Sequence, residues 1–465
     1  MNEFSMQEIV NATGGILLQG DSQSKIIGIS IDSRQIKTGE LFVAIKGERF
    51  DGHQFVEQAI QNGANGILIH ENIDIPDGTA VIRVDNTLTA LGDIARANRY
   101  KNTVPVIGIT GSNGKTTTKD LVAGILEQSL KIIKNEGNYN NEIGLPLTLL
   151  KISQSTEAAV VEMGMRGIGQ IKHLAEVAHP NIGIVTNIGL THLELLGTQE
   201  NIAKAKSELL EALPPDGLAI LNGDDPLVRR MGDITECRTV LYGIDSPGLD
   251  YRAGEIKIQN NGSQFKVYFK GESFGLFIPV PGRHNILNAL AAVALAKELG
   301  LDNDTIKRGL AKSEISGKRL RIIQSHGSWI IDDTYNASPT SVKAALDVLA
   351  ELDYGKRKIA ILADMLELGS ESAAIHHEIG EYAFHKGVQI LWGHGNFAKE
   401  YVSGFLAQTP VGIENRNAEY YPDKTLLLKE INELVLPGDV VLVKGSRGMK
   451  MEDVVAVLTK EETDE

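Results

Sequence analysis

The hydrophobic pattern of the chain alternates short apolar runs with longer segments of helical period. From residue 104 onward, apolar runs such as VPVIGIT, AAVVEMG, NIGIVTN and LAILNGD are separated by segments long enough to form a helix. Runs of this kind between helical segments are typical of buried parallel strands that are joined by crossover helices. The pattern therefore predicts an α/β fold whose central part is a doubly wound, mainly parallel sheet.

The pattern differs on either side of this central part. Residues 1–100 combine short β-rich runs such as LFVAIKG and AVIRV with helical segments, which predicts a small α/β domain. Between 254 and 280, alternating runs around an Asn-Asn-Gly turn predict a small antiparallel addition. Further on, SWIIDD, KIAILAD and DVVLVKG predict a Rossmann-like unit. We therefore predict domains over 1–100, 101–315 and 316–465, each with its own core, in a chain of 465 residues at roughly 150 residues a domain.

Composition excludes several classes of function. The net charge of −14 argues against a nucleic-acid partner, because such proteins concentrate lysine and arginine. Cys237 is the only cysteine, so the chain has no intramolecular disulfide and no thiolate zinc cluster, as suits a reducing cytosol. Neither a signal peptide nor a membrane-spanning run is evident. We expect a cytoplasmic protein with small-molecule partners, and a frayed acidic tail over 461–465.

The segment VPVIGITGSNGKTTTK at 104–119 places a glycine-rich turn between a predicted strand and a predicted helix. Glycines let successive backbone N–H groups point at one anion, and a helix N-terminus adds partial positive charge. The common phosphate-loop motif would have a glycine in place of Ile109. The alternative interpretation is a turn that only connects the strand to the helix and binds no phosphate. We predict a phosphate loop formed by Gly111, Ser112, Asn113, Gly114, Lys115, Thr116 and Thr117.

Two polar side chains follow later predicted strands and belong to the same edge of the sheet, where ligands of α/β proteins bind. Glu162 ends the strand in AAVVEMG and offers a carboxylate for Mg²⁺, whereas a solvated strand-end glutamate is the alternative. His192 follows NIGIVTN in the loop IGLTHLELLG. A helix cap or a surface histidine is the alternative to a ligand there.

The helix predicted to start near Glu200 carries a lysine on its apolar face. Ile202, Lys206, Leu209 and Leu213 recur at helical spacing and form one stripe. A buried ammonium group without a partner is costly, so Lys206 must extend to solvent, find a partner or lose its charge. The pattern leaves these three outcomes open.

A series of motifs resembles the Mur ligases of peptidoglycan synthesis over nearly the whole chain. In order they are GITGSNGKTTTK, GNYNNEIGLPLTLL, VVEMGMRG, TNIGLTHLELLGT, AKAKSELLEAL, PGRHNILNALAA and IIDDTYNASPTS. The N-terminal DSRQIKTGELFVAIKGERFDGHQF resembles the members that add the third amino acid or the terminal dipeptide. GSNGKTTTK, DMLELG and VLVKGSRGMKMED resemble those that add D-alanyl-D-alanine, and the D-N-P-R segment of the third-residue ligases is missing.

This resemblance implies an ATP-dependent amide ligase. Such members join D-alanyl-D-alanine to UDP-N-acetylmuramoyl-tripeptide through an acyl phosphate, with ATP and Mg²⁺ as cofactors, and form the pentapeptide precursor of peptidoglycan. We therefore expect these two substrates as partners, no nucleic acid, no membrane insertion and a monomer. A related ligase that adds a single amino acid is the alternative within the family.

The resemblance also implies roles for residues near the phosphate loop. Lys115 would hold the β- and γ-phosphates, while Thr116 and Glu162 would reach one Mg²⁺. His192 would serve a second metal. Lys206 falls on a lysine that the family converts to a carbamate, which would replace the buried cation by an anion. The catalytic residues implied in this way are Lys115, Lys206 and His192.

Three residues of the later motifs are implied in nucleotide binding. Asn288 would contact adenine, although N-capping of the helix after PGRHN is the alternative, above all for its neighbour Asn285. Arg319 and Asp333 would contribute to nucleotide binding when the last domain closes. A surface arginine and a loop aspartate are the alternatives, and Arg319 departs from the P-G-R form of some members.

Polar clusters in all three domains are candidates for substrate binding: Asp32, Ser33, Arg34, Asn138, Asn140, Asn141, Lys444, Ser446 and Arg447. The first three are expected to face the uridine diphosphate, with Asp51 and His53 nearby, although an N-cap explains Asp51 equally well. The asparagines suit substrate or phosphate, or form only a turn. The last three lie between a strand and a helix and are expected to position the peptide, or form a plain basic turn.

Two interpretations from other classes also stay open. A nucleotide-dependent switch protein would use the phosphate loop without ligase chemistry, but the N-K-x-D guanine signature is missing. A catalytically silent UDP-sugar-binding protein is the second. Phosphate release only in the presence of both peptide substrates would distinguish a ligase from either.

Overall fold

The computed structural model describes residues 1–47, 50–408 and 416–460. The tail predicted to be frayed, 461–465, lies outside these residues. The described chain forms three α/β parts, each built around one main sheet, and the predicted fold class is confirmed. No described helix combines the length and the apolar character needed to cross a membrane.

The N-terminal part is a mostly parallel sheet flanked by helices. Its elements are β1 (Phe4–Ser5), α1 (Met6–Thr13), β2 (Ile16–Gln19), β3 (Lys25–Ile26), β4 (Gly28–Ser30), β5 (Glu40–Val43), α2 (Val56–Gln61), β6 (Gly66–Ile69), β7 (Ala80–Arg83) and α3 (Thr87–Tyr100). The strand order is β2-β7-β6-β5-β4, and β2 is antiparallel to β7. β1 and β3 form a separate antiparallel pair.

The central part holds the largest sheet. Its elements are β8 (Val106–Thr110), α4 (Lys115–Leu126), β9 (Ile132–Lys134), α5 (Gly144–Leu149), β10 (Ala158–Glu162), α6 (Gln170–Ala178), β11 (Ile182–Val185), α7 (Leu193–Leu196), α8 (Gln199–Glu211), β12 (Leu218–Asn222), α9 (Pro226–Arg230), β13 (Arg238–Gly243), β14 (Tyr251–Gln259), β15 (Gly262–Phe269), β16 (Glu272–Ile278), α10 (Arg283–Glu298) and α11 (Asn303–Ala311). The order is β16-β15-β14-β13-β12-β11-β8-β10-β9. Pairing is parallel from β9 to β14, and β15 and β16 add the predicted antiparallel strands.

The C-terminal part repeats the parallel α/β arrangement. Its elements are β17 (Arg321–Ser325), β18 (Ser328–Asp333), α12 (Pro339–Glu351), β19 (Lys358–Ala363), α13 (Ser372–His385), β20 (Ile390–His394), α14 (Ala398–Ala407), β21 (Asn417–Tyr421), α15 (Lys424–Leu434), β22 (Val440–Lys444) and α16 (Glu452–Leu458). The order is β17-β18-β22-β19-β20-β21, and only the described pair β17 and β18 is antiparallel.

The central strands are apolar along their whole length because helices cover both faces of the sheet. Every residue of β8, β10, β11 and β12 is buried, as expected for a parallel sheet with two covered faces. The strands therefore expose only their ends. Polar residues at the carboxyl ends of these strands meet at one edge, which is where the candidate site lies.

The N-terminal and central parts each have a cluster of buried apolar side chains of their own, and they also share one. One cluster of buried apolar side chains runs from α1 and α3 into α5, α6 and α8. Asn98 on α3 also donates its side-chain N–H to Leu149 O and Ile152 O, both at 3.0 Å. The N-terminal and central parts thus share a core across α3, whereas the C-terminal sheet has clusters of its own.

Candidate active site

The residues between β8 and α4 form a tight loop at the carboxyl edge of the central sheet. Gly111 (φ +146°) and Gly114 (φ +81°) adopt backbone conformations that favour glycine. The loop is fastened to the segment after β11, because Ser112 N–H donates to Asn187 O at 2.8 Å and Asn113 N–H donates to Asn187 Oδ1 at 2.9 Å. No described side chain caps the first turn of α4. Its backbone N–H groups are therefore free to bind an anion.

A methyl group on either glycine would fill the space of the loop. A Cβ at Gly111 would overlap Thr186 Oγ1, and one at Gly114 would overlap Asn288 Oδ1. We expect Gly114→Ala to weaken ATP binding, measured by titration calorimetry, by roughly tenfold or more, because strain and collision both deform the loop. Gly137→Ala is the matched control, since Gly137 also has a positive φ (+54°) but open space around its Cβ. Equal affinity in the two variants would contradict this prediction.

Lys115 opens α4 and folds back over the loop. Its Nζ donates to Gly111 O at 2.8 Å and to Ser112 O at 3.3 Å. Burial lowers the pKa of Lys115, while the Glu162 carboxylate raises it and the Arg319 guanidinium lowers it. The ammonium group therefore lies in the field of both a carboxylate and an arginine from the next part of the chain.

Thr116 and Glu162 are in direct contact. Thr116 Oγ1 donates to Glu162 Oε2 at 2.7 Å, and Asn140 Nδ2 donates to Glu162 Oε1 at 2.7 Å. Glu162 is only 3% exposed, which rules out the solvated strand-end alternative. A hydroxyl and a carboxylate oxygen are ligands that suit Mg²⁺. The donor set of this pair thus fits a hard divalent cation beside the phosphate loop.

Sequence reasoning missed the residue that holds the backbone of Glu162 in place. Asn135 Oδ1 accepts the N–H of Glu162 at 2.6 Å, and its Nδ2 donates to Tyr139 O at 2.5 Å. Asn135 also accepts a hydrogen bond on its backbone oxygen from the buried Lys119 at 3.0 Å. It lies two residues before the asparagine-rich motif that carried the resemblance, which begins at Gly137, so a signal was present nearby.

His192 belongs to the central part and lies at its boundary with the C-terminal part. It stands at the N-cap position of α7 with φ +60°, but its side chain makes no capping hydrogen bond. Instead, Nδ1 lies 2.6 Å from Oε2 of Glu367. Burial lowers the pKa of His192, the Glu367 carboxylate raises it, and Lys206 and Lys115 lower it. Glu367 belongs to the DMLELG motif. This motif contributed to the family resemblance, but the sequence indicated no role for Glu367.

Lys206 points into the interior of the central part. The residue is 2% exposed, so it does not extend to solvent. No hydrogen bond or ion pair joins its Nζ to another residue in the described part of the chain. Burial lowers the pKa of Lys206 well below its ordinary value, and repulsion by Lys115 lowers it further. Of the three outcomes left open by the sequence, loss of charge is the one that agrees with this environment.

A cavity of about 380 Å³ joins the phosphate loop to the C-terminal part. It brings together many of the predicted nucleotide-binding residues, while His192 and Lys206 are not in its lining. Those that line it are Ser112, Asn113, Gly114, Lys115, Thr116, Thr117, Asn288, Arg319 and Asp333. Asn140, Glu162 and Lys444 also contribute. The cavity opens between two α/β parts, so both are needed to complete it.

Asn288 packs directly against the phosphate loop. Its Oδ1 accepts a hydrogen bond from Thr118 Oγ1 at 3.3 Å, and it lies inside α10 rather than at the cap. The N-cap of α10 is Gly282, so the alternative that Asn285 caps this helix is wrong. Asn285 Nδ2 donates to Pro281 O at 2.8 Å instead. The residue that caps α10 is thus a glycine, whereas the sequence pattern favoured an asparagine.

Arg319 and Asp333 face the cavity from the C-terminal side. The Arg319 guanidinium lies 3.9 Å from the centre of the Tyr335 ring, so it is not a free surface arginine. Asp333 Oδ2 accepts a hydrogen bond from Lys444 Nζ at 2.5 Å, and Lys444 also donates to Asn336 O at 2.8 Å. Asp333 and Lys444 thus form a buried pair at the carboxyl ends of adjacent strands β18 and β22.

The cluster predicted after β22 is divided by the structure. Lys444 is buried and lines the cavity, whereas the Arg447 side chain is 64% exposed and pairs with Glu452 at 2.9 Å. Ser446 is buried, and its Oγ accepts the N–H of Leu366 at 2.9 Å. These three residues therefore do not present one common surface, because the chain turns sharply after the strand.

The N-terminal cluster is divided in the same way. Asp32 and Arg34 form an exposed ion pair at 2.8 Å, and the guanidinium lowers the pKa of Asp32 to about 2. Ser33 is buried, and its Oγ donates to Gln58 Oε1 at 2.6 Å, so its hydroxyl is bound within the protein. Asp51 accepts the N–H of His53 at 3.0 Å and caps a short 3-10 helix. This agrees with the alternative interpretation of Asp51 as an N-cap.

The asparagines of GNYNN have different roles. Asn140 holds Glu162, as described above. Asn141 Oδ1 accepts the N–H of Gly144 at 2.9 Å and so orders the turn before α5. Asn138 is exposed and its backbone oxygen accepts the N–H of Asn140 at 2.7 Å. One member thus belongs to the site, one to the turn, and one is exposed.

The fold and the site together define a class of P-loop α/β protein in which a further α/β part completes the nucleotide cavity. Three family models match consecutive segments of the chain: the Mur ligase family catalytic domain over 25–99, the Mur ligase middle domain over 109–296, and the Mur ligase glutamate ligase domain over 318–447. The chain belongs to the Mur ligase family.

Relatives of known name are similar over nearly their full length. The UDP-N-acetylmuramoyl-tripeptide–D-alanyl-D-alanine ligase of Bacillus subtilis is 40% identical over 98% of both chains. The Escherichia coli protein of the same name is 35% identical over 96% of this chain and 97% of its own. A crystal structure of MurF from Acinetobacter baumannii superimposes with a TM-score of 0.91 at 31% identity, covering 98% and 99% of the chains. MurF from Thermotoga maritima in complex with ADP gives 0.81 at 28% identity, covering 92% and 96%.

Proposed function

We propose that this chain is the ATP-dependent ligase that joins D-alanyl-D-alanine to UDP-N-acetylmuramoyl-tripeptide. The observation that carries the proposal is the cavity in which a phosphate loop, the Thr116–Glu162 pair and the Asp333–Lys444 pair meet. This arrangement supports transfer of a phosphoryl group between two bound anions. The names of the full-length relatives supply the substrates. A Mur ligase that adds a single amino acid is the alternative.

The reaction needs charge compensation more than it needs a nucleophilic side chain. A substrate carboxylate oxygen attacks the γ-phosphorus of ATP, the bond to the β-phosphate oxygen breaks, and ADP leaves. The dipeptide amine then attacks the acyl carbon of the acyl phosphate, and phosphate leaves as the amine loses a proton. Lys115 and the free N–H groups of α4 reduce the repulsion between the two anions and align them.

We propose Mg²⁺ as the metal of this site, held by Thr116 and Glu162 together with the nucleotide. His192 is the proposed ligand of a second metal ion. Mg²⁺ supplies compensation of phosphate charge when it is bound. Asn140 and Asn135 act on Glu162 alone, by fixing the direction of its carboxylate and its backbone.

We also propose that Lys206 is carbamylated. A lysine whose ammonium form is strongly disfavoured is largely a neutral amine, whose nitrogen can add to the carbon of CO₂ with loss of a proton. The product is an anion in the place where a cation would meet Lys115. The buried position and the lack of any hydrogen-bond or ion-pair partner among the described residues support this modification.

The three parts would divide the substrates among them. We assign the uridine diphosphate to 1–100, ATP to 101–315 and the dipeptide to 316–465. Exposed Arg34 and Arg447 are the candidates for contact with substrate anions, whereas buried Ser33 and Ser446 support the fold around them. The proposal includes a monomer that works in the cytoplasm and closes its C-terminal part over ATP.

Coupling assays test this function directly. ATP is combined with UDP-N-acetylmuramoyl-tripeptide carrying either lysine or diaminopimelate, and with D-alanyl-D-alanine or single amino acids. We expect ADP, phosphate and a product of pentapeptide mass only when tripeptide nucleotide and dipeptide are both present. ATP hydrolysis without them would indicate a switch protein, and a product with one added amino acid would indicate the alternative ligase.

A further inference from the structure

The segment between α11 and β17 connects the central and C-terminal parts and carries Arg319. It has open space on two sides: the cavity of about 380 Å³ that holds the phosphate loop, and a second cavity of about 440 Å³. Ile315, Arg319 and Leu320 line both cavities. Packing alone therefore does not determine where Arg319 lies, and the connecting segment must be held by specific contacts.

One such contact comes from the helix that begins at the phosphate loop. Asp120 lies on the second turn of α4 and is 5% exposed. Its Oδ2 accepts both the backbone N–H of Ser316 at 2.8 Å and the Ser316 hydroxyl at 2.6 Å. Its Oδ1 lies 3.3 Å from Nζ of Lys119. A buried carboxylate of α4 thus holds a residue almost two hundred positions away.

Ser316 in turn contacts Arg319. Its backbone oxygen accepts a hydrogen bond from Arg319 Nη1 at 3.3 Å, while the guanidinium lies over Tyr335. At the other end of the segment, Leu320 has φ +50° and donates its N–H to Asp333 Oδ1 at 3.3 Å. A leucine in the left-handed region persists only where neighbouring groups hold it. The segment is therefore fixed at both ends.

We propose that Asp120 is a positioning residue for ATP binding and acts through Ser316 to place Arg319 beside the phosphate loop. This inference rests on the proposed function, because it assumes that the cavity binds ATP. The loop and its arginine come from different parts of the chain, so their spacing depends on a bond between those parts. Asp120 provides that bond from the same helix whose first turn meets the phosphates.

The test is the Asp120→Ala variant in the full-length enzyme. We expect KM for ATP to rise about tenfold, because the variant loses hydrogen bonds to a charged acceptor and their loss has an effect of about this size. The KM values for the peptide nucleotide and the dipeptide should stay within about twofold of the wild type. A general loss of structure would change all three constants or the active fraction, so this split separates positioning from folding.

A double-mutant cycle shows whether Asp120 acts through Arg319. If it does, Asp120→Ala should add nothing further to the ATP defect of Arg319→Ala, because the two residues then lie on one path. Full additivity of the two changes would overturn the proposal. So would an unchanged KM for ATP in a folded Asp120→Ala protein.

Asp302→Ala is the matched control. Asp302 also accepts the backbone N–H and the hydroxyl of one residue, Thr305, at 2.8 and 3.0 Å, but it does so as the N-cap of a single helix, α11. It should leave KM for ATP unchanged. Asp120→Asn should restore part of the affinity, since its amide oxygen can still accept the N–H of Ser316.

Ser316→Ala covers the case in which Asp120→Ala does not fold. It removes one of the two hydrogen bonds and leaves the charge of Asp120 beside Lys119. We expect roughly a threefold rise in KM for ATP, and no rise would overturn the proposal. If the wild type fails to consume ATP with both peptide substrates present, the proposed function itself fails, which is a distinct result.

Discussion

Replacement of Lys115 by alanine is expected to lower kcat/KM for product formation by about a hundred- to a thousandfold, the range for loss of one preorganised electrostatic contact. The ammonium group lies within the loop, 2.8 Å from Gly111 O, where little water screens it. Without it, the phosphates meet the attacking carboxylate with uncompensated charge. ADP and product formation are measured together, and ATP binding is measured by calorimetry.

Lys134→Ala is the control for this change. Lys134 belongs to the same sheet but pairs with Glu127 at 2.8 Å in an exposed position, so its loss should leave activity near the wild-type level. Full product formation by Lys115→Ala, or an ATP analogue bound away from the loop in a crystal, would contradict the site as proposed.

Replacement of Lys206 by alanine is expected to lower kcat by at least about a hundredfold, because it removes the proposed anion beside Lys115. A second readout does not depend on activity: after exposure to isotope-labelled bicarbonate, the wild type should show a carbamate carbon resonance that the variant lacks. A short carboxylic acid added to the variant should restore part of the activity, since it can supply the missing charge.

Lys204→Ala is the matched control on the same helix. Lys204 is exposed on α8, and it should keep both the carbamate resonance and the activity. A wild-type protein without any carbamate signal, together with an unchanged rate in Lys206→Ala, would show that the buried lysine is only a core residue.

The phosphate loop and the sheet edge could be predicted from the sequence because the signals are local. Glycines before a lysine and a threonine define a turn and a helix start within a few residues, and Glu162 directly ends a buried strand. The stripe through Ile202, Lys206 and Leu209 likewise places a lysine inside, since helical period alone decides which face is apolar. Lys206 is indeed 2% exposed.

Other contacts could not be predicted because a side chain of the same type has several possible partners. The Ser33 hydroxyl bonds to Gln58, and Asn285 bonds to Pro281 while Gly282 caps the helix. Asn138, Asn140 and Asn141 look alike in the sequence, yet only Asn140 reaches Glu162. The order of residues does not say which hydrogen-bond partner is nearest once the chain has folded.

By itself the sequence determined the α/β class, the position of the phosphate loop, the place of Lys206 on the apolar face of its helix and the resemblance to the Mur ligases, because each depends on spacing within one element or motif. Only the tertiary structure decided that His192 meets Glu367, that Asp333 pairs with Lys444, and that Asp120 holds Ser316. These partners are more than a hundred residues apart. Such contacts depend on how sheets and connecting segments pack, which no local pattern encodes.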